Sequence, residues 1–127
     1  MKDTQIQIMG DTEYEICRIL HSLGLSEVTS KALACLSNMQ ELSSRGLEIA
    51  ADIRQPEVSS VMRILHDNNW IAEREMKKNI GKGRPVKYYK LSVPMEEIID
   101  TIEATKQEDF KNIITDIKLL RDLVKSE

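Results

Sequence analysis

Arg54-Gln55-Pro56-Glu57-Val58-Ser59-Ser60-Val61-Met62-Arg63-Ile64-Leu65-His66-Asp67-Asn68-Asn69-Trp70 runs directly into Ile71-Ala72-Glu73-Arg74-Glu75-Met76, and the change of period between the two decides the fold. In the first stretch Val58, Val61, Met62 and Leu65 recur at i, i+3, i+4 and i+7, the signature of one apolar helix face. Proline is tolerated in a first helical turn because its missing N–H would be unpaired there, so Pro56 marks the start. Asn68 and Asn69 tolerate the left-handed conformation that ends helices, which predicts a helix over 56–68. Its opposite face shows Gln55, Ser59, Ser60 and Arg63. From Ile71 the period becomes two, and it is two again over Val86-Lys87-Tyr88-Tyr89-Lys90-Leu91, with Gly81-Lys82-Gly83-Arg84-Pro85 between. That spacing predicts a two-stranded hairpin with a glycine-rich tip.

Working back towards the N-terminus, Ser43 or Ser44 caps a short helix carrying Leu47, Ile49, Ala50 and Ile53, and the small Ala50-Ala51 pair lets another helix approach closely. Ser26 caps a helix whose apolar positions Val28, Ala32, Leu36 and Met39 run to a polar break at 40–43. Thr12 and Glu15 have capping-box spacing, and Ile16, Ile19, Leu20 and Leu23 then predict a first helix over about 12–22, ended by Gly24. Thr4 to Met9 alternates weakly and reads as a short edge strand or an arm. Two short helices joined by a tight turn and followed by a hairpin make a winged helix-turn-helix, with 56–68 as the helix that enters a groove.

Towards the C-terminus, Pro94 opens a segment in which Ile99, Ile102, Phe110, Ile113, Ile117, Leu120 and Val124 recur over about thirty residues. Its stripe keeps 3-4 spacing from Phe110 to Val124 but crosses Lys106 with spacings of four on both sides, a stutter between two packing regimes. The expectation is that the first half packs on its own winged domain, while Phe110, Ile113, Ile117, Leu120 and Val124 pair with a second subunit. The fold class expected is therefore mainly α with a small β-hairpin: an arm or strand plus helix over 1–24, a winged helix-turn-helix over 25–93 and a long dimerisation helix over 94–127.

Charge separates these parts. The 127 residues carry a net charge of −3, which alone discourages binding to a polyanion. Yet residues 71–90 hold Arg74, Lys77, Lys78, Lys82, Arg84, Lys87 and Lys90 against Glu73 and Glu75, a local +5, while 94–127 carries −4. Local fields decide what a surface binds. The same bases also suit an ordinary solvated Lys-rich hairpin.

Other classes lack their parts. No stretch approaches the roughly 20 apolar residues of a membrane span, and the first residues are unlike a signal peptide, so a soluble cytoplasmic protein with no membrane partner is expected. Aromatics at 4% argue against a base-stacking RNA platform. There is no Walker A, HExxH or GxSxG sequence and there are two histidines in all, so neither enzymatic activity nor a cofactor is expected. Cys17 and His21 stand at i, i+4 with Cys35 and His66 elsewhere, but the spacing is not that of a zinc finger; buried structural thiols and no metal are the expectation.

Leu23-Gly24-Leu25-Ser26-Glu27, the segment Arg54-Gln55-Pro56-Glu57-Val58-Ser59, and Gly81-Lys82-Gly83-Arg84-Pro85-Val86-Lys87-Tyr88-Tyr89-Lys90-Leu91, in that order, resemble archaeal winged-helix transcription regulators of the TrmB and MarR type, and most of all the short euryarchaeal regulators that include the archaellum regulator. The resemblance covers about residues 23–100. It implies a homodimer that binds double-stranded DNA and acts on the transcription machinery. The sugar-binding C-terminal domain of full-length TrmB proteins has no counterpart after the long helix, so effector binding by that route is not expected.

The chemistry of the candidate contacts follows. The residues expected on DNA are Ser44, Arg54, Gln55, Ser59, Ser60, Arg63, Lys77, Lys78, Lys82, Arg84 and Lys87. Glutamine suits adenine, arginine suits guanine and serine is permissive in a major groove. Glu57 can accept from cytosine, but it also favours the positive end of a helix. Gly81 and Gly83 permit a tight turn, and Arg84 held by Pro85 suits a narrow minor groove. The alternative is a winged-helix protein-interaction module whose basic hairpin meets an acidic protein surface.

Overall fold

The computed structural model describes residues 9–76 and 85–126, so Lys77, Lys78, Lys82, Arg84 and the Thr4–Met9 alternation, apart from Met9 itself, lie outside the described residues. The chain divides into two units, the first ending at Pro94 and the second formed by the segment from Met95.

In the first unit, α1 (Asp11–Ser22) begins one residue earlier than expected. Its cap is not the Thr12/Glu15 pair: the Gly10 N–H donates to Glu13 Oε1 at 3.0 Å, while Glu15 is turned to Arg18. Gly24 (φ 107°) ends it as the sequence predicts, a conformation that costs a residue without Cβ nothing. Only Leu20 of this helix is buried; Ile19 and Leu23, expected in the core, are exposed. Next, α2 (Glu27–Leu36) starts where Ser26 Oγ accepts the Thr29 N–H at 3.1 Å. It is the central helix, with every residue from Thr29 to Leu36 except Lys31 buried. The buried hydroxyls are satisfied locally: Ser30 donates to the Ser26 carbonyl at 2.8 Å and Ser26 to Thr29 at 2.9 Å, so their burial strands no polar group. The helix stops short of Met39, which has φ 67° and faces outward, correcting its assignment to the apolar face.

A two-residue strand follows, β1 (Leu42–Ser43), and Ser43 Oγ then accepts the Gly46 N–H at 2.9 Å to open α3 (Ser44–Ala51). Leu47, Ala50 and Ala51 are buried, Ile49 is not, and Ile53 reaches the core from beyond the helix. The turn to α4 (Gln55–Asp67) is made by Asp52 in the left-handed region (φ 56°). At the other end Asn69 (φ 63°) and the Trp70 N–H to Leu65 carbonyl bond of 2.9 Å close α4 in the way the Asn-Asn pair predicts. Leu33, Leu36, Leu47, Val58, Val61 and Leu65 are the almost fully enclosed centre, each large aliphatic chain contributing about 1.5–3 kcal/mol by burial.

The hairpin strands are β2 (Ile71–Met76) and β3 (Val86–Leu91), antiparallel with Ile71 opposite Leu91 and Met76 opposite Val86. The sheet has three strands rather than two, in the order β1-β3-β2, because Leu42 and Ser43 pair with Tyr89 and Tyr88. Ile71, Tyr89, Leu91 and Leu42 fill its inner face. Beyond Ile71 the residues of β2 are exposed on both faces, so its period of two reflects strand geometry more than burial.

The second unit is one helix, α5 (Met95–Lys125), 31 residues and about 46 Å long. Glu96 and Glu97 in its first turn and Lys125 in its last complement the helix dipole. Ile98 and Ile102 are buried; from 103 to 126 every residue is exposed. Phe110, Ile113, Ile117, Leu120 and Val124 are all in that exposed stretch, between 44% and 65% accessible.

Candidate nucleic-acid interface

The local chemistry of α4 sorts its side chains into two sets. The Arg54 backbone N–H donates to Glu57 Oε1 at 2.8 Å, so Glu57 is engaged as a cap. Val58, Val61, Met62 and Leu65 face the core. Gln55, Ser59, Ser60 and Arg63 are exposed on the other side, with Gln55 Nε2 donating to Ser59 Oγ at 3.4 Å, and Arg54 is exposed just before the helix. Ser44 stands half-buried in the first turn of α3, where Ser43 supplies the cap. Beside it, Arg45 is largely exposed and 3.2 Å from Glu48; nothing in the apolar period singles it out.

Between α4 and the inner face of the sheet lies a shallow groove of about 240 Å³, lined by Ser59, Met62, Arg63, His66, Asp67, Glu73, Lys87 and Tyr89. Two cations named from the sequence, Arg63 and Lys87, therefore flank one depression. Lys87 Nζ is 3.8 Å from Glu73 Oε2, a loose exposed pair that water and salt screen.

Arg74 is committed elsewhere. Its guanidinium forks onto Glu41 with two bonds of 2.7 Å and lies 5.0 Å from the centre of the Tyr88 ring. Glu41 precedes β1 and Arg74 belongs to β2, so the pair crosses the middle strand. Composition counts Arg74 among the free bases of 71–90; its partner is 33 residues away and outside that window. The Arg74 bond holds the Glu41 carboxyl below the usual carboxylate range. A carboxylate whose folded-state pKa is depressed adds stability above its unfolded value and loses it as pH falls through the folded one. Acidification should therefore weaken the cross-strand tie of the hairpin as pH falls through the lowered Glu41 pKa, and Glu41→Gln should remove that step. Amide exchange of β2 and β3 measured across the acid range checks this; identical profiles for parent and variant contradict it.

Among the described residues no group of three or more His, Cys, Asp and Glu is placed to hold a metal ion. The His21 ring bonds the Leu25 carbonyl at 2.9 Å. Cys35 is buried and Cys17 half-buried. Burial pushes the Cys35 thiol up to about 12, with smaller contributions from Glu13 and Cys17, and it also raises Cys17. Because the folded pKa of Cys35 lies above an unfolded value near 9, its contribution is full below pH about 9 and declines as pH rises towards 12. Cys35 should resist alkylation at pH 8 until the protein unfolds, while Cys17 reacts in the native state. Mass spectrometry of briefly alkylated protein reads this directly; early modification of Cys35 contradicts it.

Similarity to known proteins is visible in three dimensions and not in sequence. No protein-family model and no curated protein sequence matches the chain. Among solved structures, a possible transcriptional regulator from Methanosarcina mazei Go1 superposes with a TM-score of 0.59 at 17% identity over 79% of this chain and 82% of that one. The transcriptional regulator PA4135 gives 0.50 at 18% identity, covering 91% and 89%, and NadR in complex with 4-hydroxyphenylacetate gives 0.50 at 17% identity, covering 91% and 82%. The fold is thus the winged-helix arrangement of known regulators with a long C-terminal helix. Among the described residues no helix is long and apolar enough to cross a membrane.

Proposed function

We propose that the chain is a homodimeric, sequence-specific regulator of transcription that binds double-stranded DNA, with α4 in the major groove and the basic segment 77–87 at the minor groove of pseudo-palindromic sites. One observation carries this reading: the exposed face of α4 presents Gln55, Ser59, Ser60 and Arg63 while the opposite face is anchored in the core. A base-reading helix needs that division, since groups that discriminate bases must be free and the helix beneath them must not move. Arg54, Ser44, Lys77, Lys78, Lys82 and Lys87 serve the phosphates in this reading, and Arg84 the minor groove. The exposed stripe of α5 supplies the second subunit, and with it the second half-site about one helical turn away. The resemblance to archaeal TrmB- and MarR-type regulators belongs to this proposal, as does a role as a non-enzymatic, cytoplasmic protein acting on the transcription machinery.

Selection of duplexes from a random pool by the purified protein tests binding, specificity and half-site symmetry together. Arg63→Ala is expected to change which sequences are selected, because a base-edge contact discriminates by about 1–3 kcal/mol. An unchanged motif held uniformly more weakly makes Arg63 a phosphate contact. Arg84→Ala should cost about 1–3 kcal/mol and relax preference for A·T-rich flanks, whereas loss of Lys77 or Lys78 should flatten the salt slope for every sequence. Equal affinity of parent and Arg84→Ala for a selected site removes the hairpin tip from the mechanism.

A second reading, a protein-interaction winged-helix module, is favoured by one feature: Glu41 and Glu73 engage two of the bases of 71–90. Duplex binding that weakens with salt and prefers some sequences decides for the regulator; no such binding decides for the module.

A further inference from the structure

Resting on the homodimer just proposed, we infer that the two copies of α5 pair in parallel and in register, as a short two-stranded coiled coil whose direction is set by Asp116 and Arg121. Writing the exposed 3-4 spacing as heptads puts Phe110, Ile117 and Val124 at a, and Ile113 and Leu120 at d. β-Branched residues at a with leucine at d favour two parallel strands, and Ile117, Leu120 and Val124 follow that pattern. The flanking positions then decide the direction. Asp109, Asp116 and Leu123 fall at g, and Gln107, Ile114 and Arg121 at e.

In a parallel pair, g of one helix meets the e five residues further along its partner, which sets Asp116 against Arg121 of the second copy, twice by symmetry. Reversing one helix pairs g with g and e with e. Within the exposed stripe, residues 107–124, no register of that arrangement offers Asp116 a cation from g or Arg121 an anion from e. Both side chains are exposed, and among the described residues neither takes part in an ion pair within its own chain, whereas Asp109 is already 3.8 Å from Lys106. Charges at such positions choose partner and orientation more than they add affinity.

Cysteine placement in the full chain tests the direction, in a Cys17→Ser background with Cys35 buried. Phe110→Cys and Val124→Cys are each expected to form a disulfide-linked dimer under mild oxidation, because matching a positions of parallel helices face each other within disulfide reach. In an antiparallel pair a faces d: the register that sets Ile113 against Val124 puts the two copies of residue 124 about 16 Å apart, so a mixture of Ile113→Cys and Val124→Cys cross-links instead, and the register that sets Phe110 against Leu120 cross-links a mixture of Phe110→Cys and Leu120→Cys. Sedimentation of the parent separates the two proposals. A monomeric parent at micromolar concentration overturns the homodimer and this inference together. A dimeric parent that cross-links only as the 113/124 or the 110/120 mixture overturns the parallel register alone. Charge exchange then tests the ion pair: Asp116→Arg and Arg121→Asp should each weaken the homodimer several-fold, and both the double variant and an equimolar mixture of the singles should regain it. Failure of both to regain it removes Asp116 and Arg121 from the choice of direction.

Discussion

Ile117→Asp is expected to turn a dimer into a monomer whose winged unit is still folded, and to lower affinity for a selected DNA site on the order of 100-fold or more. Ile117 is at the centre of the exposed stripe of α5, where nothing within the described chain covers it. A carboxylate there leaves the monomer almost unchanged, because the position is already solvated; in a seam between two helices the same group is buried without a partner. The loss of DNA affinity follows from geometry, since a monomer binds each half-site alone while a dimer binds the second at high effective concentration. Truncation after Thr105 should act the same way. Sedimentation velocity with circular dichroism checks both variants, and a truncated chain that still dimerises sinks the idea.

The largest stability effect is expected from Leu65→Ala, at about 2–5 kcal/mol, with the adjacent Ile64→Ala within about 0.5 kcal/mol of the parent. Leu65 is fully enclosed and Ile64 is 44% exposed, so two neighbours on one helix give opposite outcomes. Removing Leu65 leaves a cavity under the helix that carries Gln55, Ser59, Ser60 and Arg63, and marginal stability makes such a loss a large fraction of the whole. Urea denaturation with an unchanged m-value reads the difference. Similar midpoints for the two variants would mean that α4 is not anchored as described.

How much of this the residues announce depends on how local the physics is. Ser26, Gly24, Pro56 and the Asn68-Asn69 pair mark their helix ends because capping is decided within a few residues. Capping spacing is also ambiguous: Gly10/Glu13 and Thr12/Glu15 are both three apart, and only the first closes a hydrogen bond to the helix start. Apolar period reveals a stripe but not its cover, which is why Ile19, Leu23 and Ile49 look like core and are exposed. A strand of two residues carries no period, so β1 is silent in the sequence although it makes the sheet three-stranded. The exposed face of α4 is legible for the opposite reason, since a buried stripe on a helix defines its complement. The commitment of Arg74 to Glu41 is not, because it joins residues brought together only by the sheet.

That clasp spans the middle strand at the hairpin's base, on the far side of the sheet from α4. It ties the segment leading into α3 to β2, one restraint on where the hairpin sits that is already in place before any ligand arrives. Whatever freedom that restraint removes is lost at folding and not at docking, which leaves more of the contact energy available for choosing among ligands. If α4 and the hairpin read DNA as proposed, their fixed spacing also tests the distance between adjacent grooves. Under that proposal, duplexes whose local twist or groove width departs from this spacing deform to fit and are disfavoured at base pairs that no side chain touches.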